Sequence, residues 1–141
     1  TPRVAVGGNA AWSTNRIKAF TDSSRGTPVL RRQVEPVLTP RFVSAHRFEI
    51  NATSMLSVSL EGRYQSRAYL DNTSSADRVL PDFYTMDASA KASWSRVAVT
   101  VRGVNLGDTQ KYGSGSVSSS GRVRYFVLPA RAVYATLDVS F

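Results

Sequence analysis

The sequence predicts an all-β fold, an antiparallel up-and-down meander of about six long strands that forms part of a transmembrane outer-membrane β-barrel. Three observations predict it. Apolar and polar residues alternate with period two over most of the 141 residues, the connections alternate between short and long, and the last strand runs to a terminal aromatic. From Pro129 onward, Val133, Ala135, Leu137, Val139 and Phe141 share one side of that strand, while Ala132, Tyr134, Thr136, Asp138 and Ser140 share the other.

The first strand is expected over residues 4 to 20, with Val4, Val6, Gly8, Ala10 and Trp12 on the apolar side before the pattern dissolves toward Phe20. The second, 41 to 50, sets Phe42, Phe48 and Ile50 with Ser44 and His46 against Val43, Ala45, Arg47 and Glu49. The third, 55 to 70, is the longest regular run. It places Leu56, Val58, Leu60, Gly62, Tyr64, Ala68 and Leu70 opposite Ser57, Ser59, Glu61, Arg63, Gln65 and Arg67. In the fourth, 83 to 94, Tyr84, Met86, Ala88, Ala90, Ala92 and Trp94 face away from Thr85, Asp87, Ser89, Lys91 and Ser93.

A two-residue turn at Ser95-Arg96 leads into the fifth strand, 97 to 106, and pairs Trp94 with Val97, Ala92 with Val99 and Ala90 with Val101. That register makes Asp87 a diagonal neighbour of Arg102. The sixth strand spans 125 to 141. Residues 51 to 54 and 95 to 96 read as tight turns; 21 to 40, 71 to 82 and 107 to 124 read as long loops rich in Ser, Gly, Asp and Pro. Short turns at one end and long loops at the other are the asymmetry of an outer-membrane barrel, with the carboxyl end periplasmic and the long loops extracellular.

Composition removes several function classes. A hydrophobic content of 42% with 20% charged residues is too apolar for a disordered chain, and the length allows at most one domain. No Cys and one His leave neither a thiol nucleophile nor a zinc ligand set, so no enzyme, metal or cofactor is expected. The net charge of +8 is dispersed as single Arg and Lys residues, with Arg31-Arg32 the one adjacent pair, so nucleic acid is not an expected partner. No stretch approaches the roughly 20 apolar residues of a membrane-spanning helix. Thr1-Pro2-Arg3 carries neither an initiator Met nor a signal peptide, so the chain reads as a piece of something longer or a mature product.

Alternation by itself fits a soluble β-sandwich or a lipocalin-like barrel equally well. Neither class tolerates charge on its buried face, and no Asp, Glu, Lys or Arg falls on the apolar face at membrane depth, leaving His46 as its ionisable side chain. An Arg or Lys there would cost about 2 to 4 kcal/mol in a bilayer. What favours lipid is size. Ala88, Ala90, Ala92 and Gly62 lie mid-face, with Trp12, Tyr64, Tyr84, Trp94 and Phe141 toward the ends, which is an aromatic girdle rather than a packed core.

The order of segments resembles the carboxyl-terminal part of the barrel of TonB-dependent outer-membrane receptors. The resemblance runs through Thr39-Pro40-Arg41-Phe42, Tyr64-Gln65-Ser66 and Tyr69-Leu70-Asp71-Asn72-Thr73 to Leu80-Pro81-Asp82-Phe83-Tyr84-Thr85-Met86-Asp87-Ala88-Ser89. It continues through Val101-Arg102-Gly103-Val104-Asn105-Leu106-Gly107-Asp108 and Lys111-Tyr112 to Pro129-Ala130-Arg131. Gly107 departs from the pattern, where an aromatic is usual. The resemblance implies one domain, residues 1 to 141, as the carboxyl-terminal barrel segment without its plug. It further implies active import of a scarce ligand of siderophore, haem, cobalamin or glycan type, energised through the TonB complex by way of an amino-terminal region. Such barrels have about 22 strands, so six make roughly the last quarter. A small or oligomeric passive barrel, and a soluble sandwich binding carbohydrate or protein, are the other readings.

Within this frame Glu61, Arg63, Arg67, Asp87, Lys91, Arg102 and Asp138 are expected to line the lumen, mostly as structural ion pairs. Trp12, Tyr64, Tyr84 and Trp94 form the lipid-face girdle. Leu137, Val139 and Phe141 carry the signal read by the barrel-assembly machinery, and deleting Phe141 is expected to impair assembly. Outer-membrane lipid and lipopolysaccharide are the expected surroundings. His46 reads as an interfacial residue rather than a ligand. The Gly113 to Gly121 segment lacks the Lys-Ser/Thr of a phosphate loop and reads as a mobile surface loop, and Asn51-Ala52-Thr53 reads as a turn. The oxygens of Asp71, Asn72, Asp77 and Asp82 fit no defined calcium loop. Arg25, Arg31, Arg32, Arg78, Tyr112, Arg122, Arg124 and Tyr125 are loop residues able to meet an anionic ligand or lipopolysaccharide.

Overall fold

The computed structural model describes residues 3–23 and 26–141; Thr1, Pro2 and Arg25, which enter the sequence reading, lie outside them. Twelve strands follow in order: β1 Val4–Trp12, β2 Ile17–Asp22, β3 Val29–Val34, β4 Phe42–Asn51, β5 Leu56–Gln65, β6 Ala68–Tyr69, β7 Val79–Leu80, β8 Phe83–Trp94, β9 Val97–Val104, β10 Tyr112–Val117, β11 Val123–Val127 and β12 Ala132–Val139. Six of them form one antiparallel sheet in the order β1-β4-β5-β8-β9-β12. Each long strand pairs with the next long strand in sequence, which is an up-and-down meander. The remaining strands pair as three separate two-stranded units, β2 with β3, β6 with β7 and β10 with β11.

Register keeps every apolar face on one side. Val6 opposes Phe48, Phe48 opposes Leu60 and Leu60 opposes Ala88, while Leu137 opposes Val99 and Ala135 opposes Val101. The expected pairs Trp94–Val97, Ala92–Val99 and Ala90–Val101 are present across the Ser95-Arg96 turn. A single-residue slip anywhere would carry a whole apolar set to the polar side, so this parity is strongly specified.

No second layer covers the apolar face among the described residues. Val6 is 76% exposed, Leu137 65% and Val133 67%. A soluble sandwich would bury these side chains against an opposing sheet. The buried hydrophobic side chains are instead a small set beyond the end of the sheet, where Ala68, Leu70 and Leu80 pack with Tyr112, Val117 and Val123.

Four strand expectations change. The first long run ends at Trp12, beyond which the Ser13 N–H gives a last in-register bond to the Arg41 carbonyl at 2.8 Å, and Ile17 to Asp22 pairs with β3 instead. The third run ends at Gln65. Ser66 closes the ladder by exchanging bonds with Phe42, its N–H donating to the Phe42 carbonyl at 2.9 Å and its hydroxyl accepting the Phe42 N–H at 3.0 Å. Ala68 and Leu70 therefore leave the apolar face of the sheet for the core under the loops. The fifth run stops at Val104, ahead of Asn105 in a left-handed conformation at φ 49°. The sixth divides into β11 and β12 around Pro129, which lacks the N–H a ladder needs.

The long connections are structured too. The Gly113 to Gly121 segment, expected to be a mobile loop, supplies β10 and the turn to β11, with Ser118 bonded to Arg122. The hydroxyl-rich composition that suggested mobility instead caps this turn.

Candidate functional site: an ion-paired wall and an aromatic outer face

The polar side of the sheet is a surface of alternating charge. Arg47 opposes Glu61 and Glu61 opposes Asp87 across β4, β5 and β8. Two carboxylates directly opposite each other repel, and Arg102 of β9 offsets this by lying 3.8 Å from Glu61 and 3.5 Å from Asp87. From the other side Arg47 donates to Glu61 at 3.3 Å and to Glu49 at 2.8 Å, and Arg63 stands 3.7 Å from Glu61. Arg47 and Arg102 are about half exposed, so each pair contributes at most about 1 kcal/mol. The arrangement sets the polarity of the wall more than its stability.

Two open hollows lie on this wall. One of about 130 Å³ is lined by Arg47, Ser59, Glu61, Asp87, Ser89 and Arg102. The other, of about 280 Å³, includes Gly7, Asn9, Ala45, Arg47, Glu61 and Arg63. Both offer fixed charges of either sign to a polar solute. Among the described residues no group of three or more His, Asp or Glu side chains converges as metal ligands.

The predicted wall residues are thus brought together in part. Glu61, Arg63, Asp87 and Arg102 meet. Lys91, opposite Ser57 and Thr100, and Asp138, opposite Ala98, share the face without an ion pair among the described residues. Arg67 lies past the end of β5, its guanidinium 5.6 Å from the centre of the Tyr69 ring.

Asp87 has a further role that the sequence reading missed. Its Oδ1 accepts the N–H of Asn105 at 2.8 Å, and Asn105, 1% exposed, exchanges side-chain bonds with the Thr109 backbone at 3.0 and 3.1 Å. Asp108 then accepts the N–H of Arg131 at 3.1 Å, tying this turn to the start of β12. The signal was an Asn just past a strand in front of Leu-Gly-Asp, since Asn tolerates the left-handed region better than most residues.

The loop end is also interlocked. Buried Glu35 binds Arg16 at 3.2 Å and Arg41 through both carboxylate oxygens, and its N–H donates to Ser74 Oγ at 2.9 Å. Val37 N–H donates to Asn72 Oδ1, and Leu38 N–H to the Tyr69 carbonyl, each at 2.8 Å. Burial pushes the Asp71 carboxyl up, but hydrogen bonds from Thr73 and Arg78 outweigh it and hold Asp71 below its usual range. The oxygens considered for calcium therefore point at protein donors: Asp71 at Thr73 and Arg78, Asn72 at Val37, Asp82 at the Tyr64 hydroxyl. Tyr112 and Tyr125 pack with ring centres 4.6 Å apart, and Arg31 pairs with Asp22 at 3.5 Å.

On the outer side, Trp12, Phe42 and Tyr64 form a row at the loop end with centroid spacings of 5.9 and 6.0 Å, and Tyr84 opposes Tyr64. Trp94 stands at the opposite end, beside the Ser95-Arg96 turn. Phe141 lies just past β12 and is fully exposed, while Leu137 and Val139 pair with Val99 and Val97.

No family model matches the chain, and no curated protein matches it. Solved structures do. The siderophore receptor PiuA from Acinetobacter baumannii superposes with a TM-score of 0.81 at 14% identity, covering 98% of this chain and 20% of that one. The ferric-catecholate import receptor Fiu from E. coli K12, in its closed form, gives 0.71 at 20% identity over 97% of this chain and 18% of its own. The ferric yersiniabactin uptake receptor FyuA from Yersinia pestis gives 0.70 at 17% identity over 100% of this chain and 21% of its own. The fold is that of the barrel wall of these outer-membrane receptors, and the chain spans about a fifth of their length.

Proposed function

We propose that this chain is the carboxyl-terminal wall segment of an outer-membrane receptor that imports a scarce ligand with energy relayed through TonB. The observation that carries this reading is the pairing of two unlike faces on one meander. The uncovered apolar face with aromatic ends suits lipid, and the ion-paired face suits the inside of a plugged importer. The ligand class favoured is a ferric siderophore, because the superposing receptors are described as siderophore, ferric-catecholate and yersiniabactin receptors. Plug, TonB contact and most of the ligand site belong to the rest of such a protein. Phe141, with Val139 and Leu137, acts as the assembly signal, and the long loops face outward.

Uptake of radio-iron by cells expressing the full-length protein tests this. Iron-starved cells should accumulate at least one ferric siderophore, lose that uptake when the gene is deleted, and lose it equally when TonB is removed or the proton gradient is collapsed. Uptake that survives both energy blocks would mark a passive barrel. No gene-dependent uptake of siderophore-bound iron, with transport of haem, cobalamin or a glycan instead, would overturn the siderophore class and leave the importer.

A further inference from the structure

The outer end of the lipid-side face carries a feature that the girdle alone does not require. A hollow of about 270 Å³ is lined by Trp12, Phe42 and Tyr64 on one side and by Ser66, Arg67, Arg41 and Glu35 on the other. Its wall passes from bare aromatic rings to guanidinium groups within one side-chain length. Arg16 joins this rim through Glu35, so two guanidiniums, those of Arg16 and Arg41, meet one carboxylate, and with Arg67 the rim carries an excess of two positive charges. The Arg67 guanidinium carbon lies 5.6 Å from the Tyr69 ring centre, and no hydrogen bond or ion pair engages its N–H donors among the described residues.

We propose that this hollow is a docking site for the phosphate-bearing headgroup of an outer-leaflet lipid. The acyl chains lie along Trp12, Phe42 and Tyr64, and the phosphate accepts hydrogen bonds from Arg67 and Arg41. Charge complementarity selects the occupant, because planar guanidiniums match phosphate geometry. The aromatic row selects a lipid over a free anion. Glu35 serves as the positioning residue that holds Arg41 and Arg16 at the rim. The inference rests on the proposed outer-membrane location and adds a specific lipid contact to it.

The test uses the full-length receptor. Membrane fractionation comes first, and absence from the outer membrane would overturn both readings. Purified receptor is then stripped of lipid and titrated with detergent micelles carrying diphosphorylated lipid A, or the same lipid with its phosphates removed, and bound lipid is counted by native mass spectrometry. Wild type should bind the phosphorylated lipid about tenfold more tightly, the scale of a hydrogen bond to a charged group. R67Q, which breaks no ion pair and should fold normally, should lose most of that preference, as should R41Q. Equal binding of both lipids, or an R67Q variant with full preference, would overturn the headgroup site while leaving the importer reading intact. Complete competition by inorganic phosphate would overturn the lipid as occupant and leave a free-anion site.

Discussion

His46 and Tyr84 meet across an intervening strand: His46 Nε2 lies 3.0 Å from Tyr84 Oη, and their rings stack at 5.8 Å with planes 16° apart. Gly62, between them on β5, makes this possible, since a side chain there would run into the His46 ring and come within 2.5 Å of the Tyr84 hydroxyl. On a hydrocarbon-facing surface an unpaired imidazole or hydroxyl is costly, and each group supplies the other's partner.

Gly62→Ala should therefore destabilise the barrel by about 1 to 3 kcal/mol through overpacking, read as a lowered urea midpoint of the full-length protein in detergent micelles. Adding His46→Ala should recover part of the loss. A Gly62→Ala barrel as stable as wild type would refute the crossing.

Asp87 differs from its charged neighbours because it accepts the buried Asn105 N–H. Asp87→Ala strands that donor and should cost about 1 to 3 kcal/mol, whereas Lys91→Ala should stay within about 0.5 kcal/mol. Asp87→Asn keeps an acceptor for Asn105 and loses mainly the half-exposed Arg102 pair, about 1 kcal/mol or less. If Asn and Ala variants cost the same, the ion pair and not the Asn105 bond carries the effect.

Ser95 occupies the left-handed region at φ 49° in the two-residue turn between β8 and β9. Ser95→Val should cost about 1 to 2 kcal/mol, and Ser95→Asn should match or exceed wild-type stability because Asn suits this conformation. Unfolding midpoints of the two variants rank the turn directly, and a Val variant equal to Asn would show that the turn carries no strain.

The Asp71 clamp should be acid-sensitive. Its carboxyl pKa is depressed in the folded state, so the stability it adds is fully present above the unfolded value of about 4 and is lost as pH falls through the folded value. The protection factor of the Leu70 amide, whose N–H donates to the Arg78 carbonyl at 2.8 Å, should fall on acidification once the slower intrinsic exchange in acid is divided out. Asp71→Asn should remove that pH dependence. Identical pH profiles in wild type and variant would assign the acid response elsewhere.

The membrane-depth strands were legible because side chains alternate strictly along a strand. The pattern of Leu56, Val58 and Leu60 against Ser57, Ser59 and Glu61 assigns both faces without knowledge of any neighbour, and a two-residue turn such as Ser95-Arg96 then sets the register of the next strand. The Asp87–Arg102 contact followed from that register.

At the loop end the same pattern misled. Ala68 and Leu70 continue the period of β5, yet they turn away after Ser66 and bury with Leu80 and Tyr112, a contact between segments distant in sequence. Glu35 gathers Arg16 and Arg41, and Asn105 hangs on Asp87, by pairings that no local period encodes. The sequence by itself therefore determined the strands, their two faces and the short turns, because period two and tight-turn geometry are local. Only the tertiary structure decided where the strands leave the sheet, how the long loops pair into hairpins, and which charges meet, because those depend on side chains brought together from far along the chain.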